Sequence, residues 1–208
     1  MVRSTHQSWS RKDKGDLRTS KGCSYDAPCV IRPFKDHAAL RDLVLKEILD
    51  DASSNDRNYE YYDEHDVPYM DILTDYGTPL EHVKYYDLIR EPLNKHMYKV
   101  ATEDMGFHDV NNVIELWYQI YYNQQMHGWH IHHNCNFTSV WYLEFPDGAP
   151  RTEFMDTRTK EVKVIDDIQE GDILTFPSYV VHRAPVNLGQ ERKTILSWHV
   201  DVMWDTPE

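Results

Sequence analysis

From Val113 onward the chain changes texture: β-branched and aromatic residues gather in short runs bounded by turns, at 113–122, 129–133, 137–145, 161–165, 172–176, 179–184 and 192–202. Strands so spaced, following helical segments rather than alternating with them, predict an α+β chain whose β part is a sandwich or a barrel and carries the chemistry. Upstream, Asp36 is a plausible N-cap for HAALRDLVLKEILDD, where Leu40, Leu43, Val44 and Ile48 recur at helical spacing. Thr78-Pro79-Leu80-Glu81 is a capping box with proline at the first helical position and predicts a second helix. Pro92 has no backbone N–H, so the run to Met105 reads as two helices meeting near Glu91 or as one kinked helix. Between the two helical stretches, residues 50–75 hold nine acidic side chains against Arg57 alone, with four tyrosines, and predict a long acidic loop, either a lid or a solvated excursion.

A chain of 208 residues fits one domain, and with 40% hydrophobic and 12% aromatic residues it can bury a sizeable core. We expect a polar basic arm over residues 1–30 and a single domain over 31–208, with its helical part at 36–105 and its β part at 113–202. There is no apolar run of 18 residues, and the first thirty residues have no hydrophobic h-region, so neither a membrane span nor a secretory signal is expected and a cytoplasmic location is. Cys23, Cys29 and Cys135 lack CxxC spacing and read as reduced thiols. The net charge of −13 argues against a nucleic-acid partner, which needs lysine and arginine to displace counterions, and fits a small-molecule or cationic partner better. Residues 1–21 run against this balance with six basic and two acidic residues, a net of +4, and read as a solvated terminus or as a contact for something anionic.

Twelve histidines is a high count, and His127, His130, His132 and His133 crowd into MHGWHIHHN. On a strand, side chains alternate faces, so His130 and His132 would point the same way with Cα atoms roughly 6.6 Å apart, close enough for both imidazoles to reach one metal ion. Histidines alternating on an exposed strand would look the same. About fifty residues later, in EGDILTFPSYVVHR, the Gly171-Asp172 turn, a short strand and the Pro177-Ser178 corner deliver His182 as a third candidate ligand. Three protein ligands leave coordination positions open, as catalytic sites do.

Arg192 follows ten residues after His182, and on the last strand Arg192, Thr194, Leu196 and Trp198 would share a face. An arginine on the inner face of a barrel is costly unless it meets a buried anion, and its planar fork suits a carboxylate. The pocket is therefore expected to hold a dicarboxylate. The alternative is that Arg192 sits at the rim, solvated or paired with an acidic residue.

Two blocks, His130-Ile131-His132-His133-Asn134 with Ser139-Val140-Trp141-Tyr142-Leu143, and Gly171-Asp172 through Phe176-Pro177-Ser178 to His182 with Arg192-Lys193-Thr194, resemble the iron- and 2-oxoglutarate-dependent oxygenases, in particular their bacterial and phage members with an H-x-H-x-N block. The likeness covers about residues 113–202. It implies a double-stranded β-helix, a jelly-roll or cupin-like barrel, with the N-terminal helices packed on it. It also implies Fe(II) held by His130, His132 and His182, with 2-oxoglutarate as co-substrate gripped by Arg192 and assisted by Thr194 and Tyr142. Trp198 stands where a bulky wall residue is common. The implied reaction hydroxylates an unidentified substrate, a small metabolite or a peptide, with release of succinate and CO2.

His132 stands where most of the superfamily that the chain resembles has Asp or Glu. Three neutral imidazoles around Fe(II) leave a site charge of +2 instead of +1, which strengthens attraction for a dianion. The departure keeps two alternatives open: a cupin-type metalloenzyme with a three-histidine site that does not use 2-oxoglutarate, and a binding barrel without catalysis. The first cupin motif wants a glutamate soon after the histidine pair, and here Glu144 comes twelve residues after His132.

Overall fold

The structure, a computed structural model, describes residues 18–19, 29–64, 68–110, 113 and 115–203. In chain order its strands are β1 (Arg18–Thr19), β2 (Val30–Pro33), β3 (Asn58–Tyr62), β4 (Pro68–Thr74), β5 (Asp109–Val110), β6 (Glu115–Tyr121), β7 (Met126–His130), β8 (Phe137–Glu144), β9 (Glu153–Met155), β10 (Val162–Val164), β11 (Asp172–Pro177), β12 (His182–Ala184), β13 (Lys193–Val200) and β14 (Val202–Met203). Two α-helices, α1 (His37–Ser54) and α2 (Tyr86–Lys99), precede most of them.

The main sheet runs β1-β2-β11-β8-β13-β6-β4-β7-β12-β9-β10, with β3 added on β4, and every ladder is antiparallel. The sheet turns over along β4. The C-terminal end of that strand pairs with β6 (Leu73↔Ile120) and its N-terminal end with β7 (Met70↔His127). The two halves of the sheet thus curl toward each other, the half-barrel of a double-stranded β-helix.

Two cores follow from the curl. On the convex side Val44, Leu45 and Ile48 of α1 and Ile89, Leu93 and Met97 of α2 pack on Trp141, Leu196, Trp198 and Val200. Inside the barrel Ile31, Tyr121, Tyr142, Phe154, Phe176 and Ile195 form the second cluster. Strands β8 and β13 are buried on both faces, so their sequences lack the in–out alternation of a half-exposed strand.

Several expectations are corrected. Leu43 is 54% exposed, and Leu45 takes its place on the buried face of α1. The capping box at Thr78 starts only a 3₁₀ turn at Leu80–His82, and α2 begins at Tyr86. Pro92 lies inside one continuous helix, which passes into a π-turn at Val100–Asp104 that Arg32 ties down through Glu103 and Asp104, each at 2.9 Å. The acidic stretch 50–75 is the end of α1 followed by the β3–β4 hairpin rather than a long loop. Most of the arm, with Cys23, lies outside the described residues, while Arg18–Thr19 ladders onto Ile31 and Val30. Cys29 and Cys135 form no disulfide. No helix among the described residues is long and apolar enough to cross a membrane.

Candidate metal centre

Strand β7 ends at His130 and β12 begins at His182, and the two residues face each other across the ladder. That register alone sets their rings 4.2 Å apart between centroids. His132 lies past the end of β7, not on it as the alternation had suggested, and its backbone N–H donates to the Ser178 carbonyl at 3.0 Å. This bond turns the chain so that His132 still reaches the site: its Nε2 is 3.2 Å from Nε2 of His182. One ligand atom from each of His130, His132 and His182 lies within 4.8 Å of the others, the convergence read from the sequence.

The ring nitrogens are assigned by their partners. Nδ1 of His130 donates to the Gly128 carbonyl and Nδ1 of His182 to the Val180 carbonyl, both at 2.8 Å, because a carbonyl can only accept. Each Nε2 then carries a lone pair toward the shared centre. Burial disfavours the imidazolium: His130 is pushed down to about 4, His132 to about 2, and His182 well below its ordinary value. Three neutral nitrogen donors with open positions suit a first-row divalent ion such as Fe(II), so the residues present fit the metal.

Two further histidines border the triad, and neither was assigned a role from residue pattern alone. His127 stacks on His130 with centroids 3.8 Å apart and planes 7° from parallel. Its Nδ1 meets Nε2 of Gln119 at 3.0 Å, and the Tyr121 hydroxyl donates to Oε1 of Gln119 at 2.8 Å, which orients the amide so that its N–H₂ points at the imidazole. His199 packs edge-on against His132 at 4.8 Å, and its Nδ1 lies 3.0 Å from Glu115.

The three residues named as co-substrate contacts fall differently. Arg192 makes a fork-to-fork pair with Glu144 at 2.6 and 2.7 Å, and the Thr194 hydroxyl donates to the same carboxylate at 2.6 Å. Neither lies on the clefts beside the imidazoles. Tyr142 is fully buried inside the barrel, with its hydroxyl 2.6 Å from that of Thr152, which lines the cleft at the triad. The face of β13 is one residue out of step with the sequence reading. Leu196 and Trp198 pack under the helices, whereas Ile195 and Ser197 face the histidines.

This phase turns Lys193 inward. Its side chain is fully buried, its Nζ donates to the Pro150 carbonyl at 2.8 Å, and the rings of Tyr121, Phe145 and Tyr142 stand 5.2, 5.5 and 5.8 Å from it. No carboxylate among the described residues pairs with it, and desolvation pushes its amine down to about 7. A buried ammonium held only by a carbonyl and aromatic faces is costly, and an anion beside it would relieve that cost, although Lys193, like Arg192 and Thr194, does not line the clefts beside the imidazoles. A lysine next to an arginine in sequence gives no sign of which one faces in, so only the register could identify it.

The site-bearing stretch, residues 115–198, matches the family described as "Putative 2OG-Fe(II) oxygenase". No curated protein matches the chain. Among solved structures, a viral collagen prolyl hydroxylase from Paramecium Bursaria Chlorella virus-1, in complex with 2-oxoglutarate, is similar at TM-score 0.57 and 13% identity, over 83% of this chain and 94% of that one. A prolyl hydroxylase from Trichoplax adhaerens, in complex with a hypoxia inducible factor peptide fragment, is similar at TM-score 0.59 and 13% identity, over 83% of each chain. The α-ketoglutarate-dependent carbocyclase SnoK of nogalamycin biosynthesis is similar at TM-score 0.58 and 11% identity, over 83% of this chain and 78% of that one. The chain therefore has the double-stranded β-helix fold of the 2-oxoglutarate- and Fe(II)-dependent oxygenases, and the stretch that bears its three imidazoles matches their family pattern.

Proposed function

We propose that this chain is a cytoplasmic Fe(II)- and 2-oxoglutarate-dependent dioxygenase that hydroxylates an unidentified substrate with release of succinate and CO2. The observation that carries the reading is the pairing, inside one barrel, of three neutral imidazoles within ligating reach of one another and a buried lysine amine that no carboxylate among the described residues pairs with. A dicarboxylate with one end at the metal and the other at Lys193 satisfies both.

Iron(II), when bound with 2-oxoglutarate, supplies the oxygen chemistry that the side chains cannot. His130, His132 and His182 would hold the ion, with the Gly128 and Val180 carbonyls keeping two of the rings in the ligating tautomer. Lys193 binds the distal carboxylate of 2-oxoglutarate, with Tyr142 and Tyr121 as the walls around it. Arg192 and Thr194 act at one remove, by locking Glu144 and so fixing the start of β13. The cleft at the imidazoles reaches Tyr121 and Thr152, stops short of Lys193 and is narrow, about 20 Å³, so the co-substrate enters by displacing side chains. Arg183, part-exposed and held by Glu153 and the face of Trp129, is the lining residue best able to swing out. One solved neighbour is in complex with a peptide fragment and another comes from nogalamycin biosynthesis, so a peptide and a metabolite are both open to this chain.

Anaerobic addition of 2-oxoglutarate to the Fe(II)-loaded protein tests the reading. The expected result is the weak visible charge-transfer band of a chelated 2-oxo acid, lost in His182→Ala. Retained iron without the band favours the three-histidine cupin chemistry, and no iron retention favours a binding barrel.

A further inference from the structure

Resting on the oxygenase reading, we infer that the substrate is an extended, positively charged polypeptide segment that pairs with the outer edge of β3 and inserts one side chain into the groove above the imidazoles. Three observations at the β3–β4 hairpin lead there.

The first is size. A groove of about 200 Å³ is lined by Tyr59, Tyr76, Trp117 and Ile131 together with His130 and His132. Cavities that engulf a whole small-molecule ligand hold about 300–1,000 Å³. This one takes about one side chain, so the rest of the substrate must lie outside it, against the surface.

The second is the surface that adjoins it. All five residues of β3 are exposed, and among the described residues β3 pairs with β4 alone, so one edge of its backbone faces outward. Its side chains divide by face. Asn58, Glu60 and Tyr62 bond to one another on one side, while Tyr59 lines the groove and Tyr61 meets Tyr69 edge-on at 6.0 Å on the other. An edge strand whose inner face already borders a reaction centre can accept an added strand: main-chain hydrogen bonds supply affinity, and alternate side chains supply register.

The third is charge. No lysine or arginine lines the groove. Residues 50–75 carry nine acids in the sequence against Arg57; Asp51 binds that Arg57 at 2.8 and 3.0 Å, Asp50 binds Lys46 and Asp75 is buried, while Glu60 is the exposed carboxylate on β3 itself. Tyr59, Tyr61, Tyr62 and Tyr76 are each about half exposed, at 49, 59, 46 and 55%, and offer ring faces to a passing cation. A lysine- or arginine-bearing strand complements both the field and the rings.

The test measures binding to the full chain without metal, oxygen or turnover, using four decapeptide probes: alternating Lys/Ala, Glu/Ala and Ser/Ala, and Lys/Ala with N-methylated backbone amides. The expected result is Lys/Ala binding at least tenfold tighter than the other three, weakening as salt rises, with slowed amide exchange over residues 58–62 by mass spectrometry. Glu60→Lys is expected to weaken Lys/Ala binding severalfold. Equal binding of the three natural-backbone probes, unchanged exchange at 58–62, or displacement of the peptide by free L-lysine at equal concentration would each overturn the inference, the last in favour of a small cationic metabolite. Absence of peptide binding in a protein that still gives the 2-oxoglutarate band removes this inference and leaves the oxygenase reading standing. Peptide binding without the band removes the oxygenase reading and leaves the segment a bound ligand of the β3 edge, no longer a substrate.

Discussion

Arg192 and Lys193 are adjacent in the chain and end on opposite faces of the same sheet: the guanidinium grips Glu144 at 2.6 and 2.7 Å, while the ammonium sits inside the barrel, 5.2 Å from the ring of Tyr121. Side chains on a strand alternate, so a cation pair at its start puts one charge on each face, and a shift of register by one residue exchanges their roles. The two cations also differ in what they lack. Arg192 already has a bidentate carboxylate partner, whereas Lys193 is held among the described residues by the Pro150 carbonyl and aromatic faces.

Lys193→Met should therefore raise the Kd for 2-oxoglutarate by about a hundredfold or more, the loss of a buried charge-assisted contact worth about 3 kcal/mol. Arg192→Ala should leave that Kd within about threefold and lower the melting temperature, since it strips the partly buried Glu144 of its main partner at a cost of about 1–3 kcal/mol. Titration calorimetry with 2-oxoglutarate and thermal melts of both variants measure this. The reverse pattern would return the anchoring role to Arg192.

The pH dependence follows from the same lysine. Burial pushes its folded-state pKa down to about 7, below the 10.5 of an exposed amine, so between those values the unfolded chain binds more protons and ligand-free stability rises with pH. A carboxylate needs the ammonium form. Affinity for 2-oxoglutarate should accordingly fall about tenfold per pH unit above about 7, with uptake of a proton on binding at pH 8. Calorimetry in two buffers of different ionisation enthalpy reads that proton. It should vanish in Lys193→Met and persist in Arg192→Ala.

The triad was legible in the sequence because His130 and His132 together with the later His182 fall in two ordered blocks that resemble one family; the His-x-His pair by itself would have read equally as an exposed strand. The phase of β13 was not legible, because residues 193–200 are all buried and hydropathy cannot tell the barrel interior from the surface under the helices. The β3–β4 hairpin was hidden for the opposite reason. Its first strand, Asn58–Tyr62, is exposed at every position and therefore shows no alternation, and its acidic composition reads as loop. Pro92 inside α2 is a case where tertiary packing of Ile89, Leu93 and Met97 outweighs a missing hydrogen bond.

The imidazoles differ in how well they are held, and substitution should separate them. His182→Ala or His130→Ala removes a ring whose Nδ1 is fixed by a carbonyl and should weaken Fe(II) or Co(II) binding by a factor on the order of 10² or more. His132→Asp keeps three ligands and returns the site charge from +2 to +1, so the metal should be retained and 2-oxoglutarate bound somewhat less tightly. Because burial holds His130 near 4 and His132 near 2, protons should not displace the metal until the pH is well below 6.5. Metal content after dialysis across pH 4–8 checks both points.

Gly128 links the hairpin to the metal centre. A Cβ built there would lie 2.7 Å from the Tyr69 carbonyl oxygen and 2.9 Å from its ring, and the Tyr69 hydroxyl also donates to the Trp129 carbonyl. The obstacle is partly backbone, so the side chain cannot simply swing aside and β4 must move. The Gly128 carbonyl in turn accepts from Nδ1 of His130, so the displacement reaches the ligand whose tautomer it sets. Gly128→Ala should thus cost about 1–3 kcal/mol of stability by overpacking and weaken metal binding about tenfold or more, although no ligand is changed. Chemical denaturation and Co(II) titration of the variant measure the two effects. Loss of stability with unaltered metal affinity would mean that the hairpin and the triad are mechanically independent.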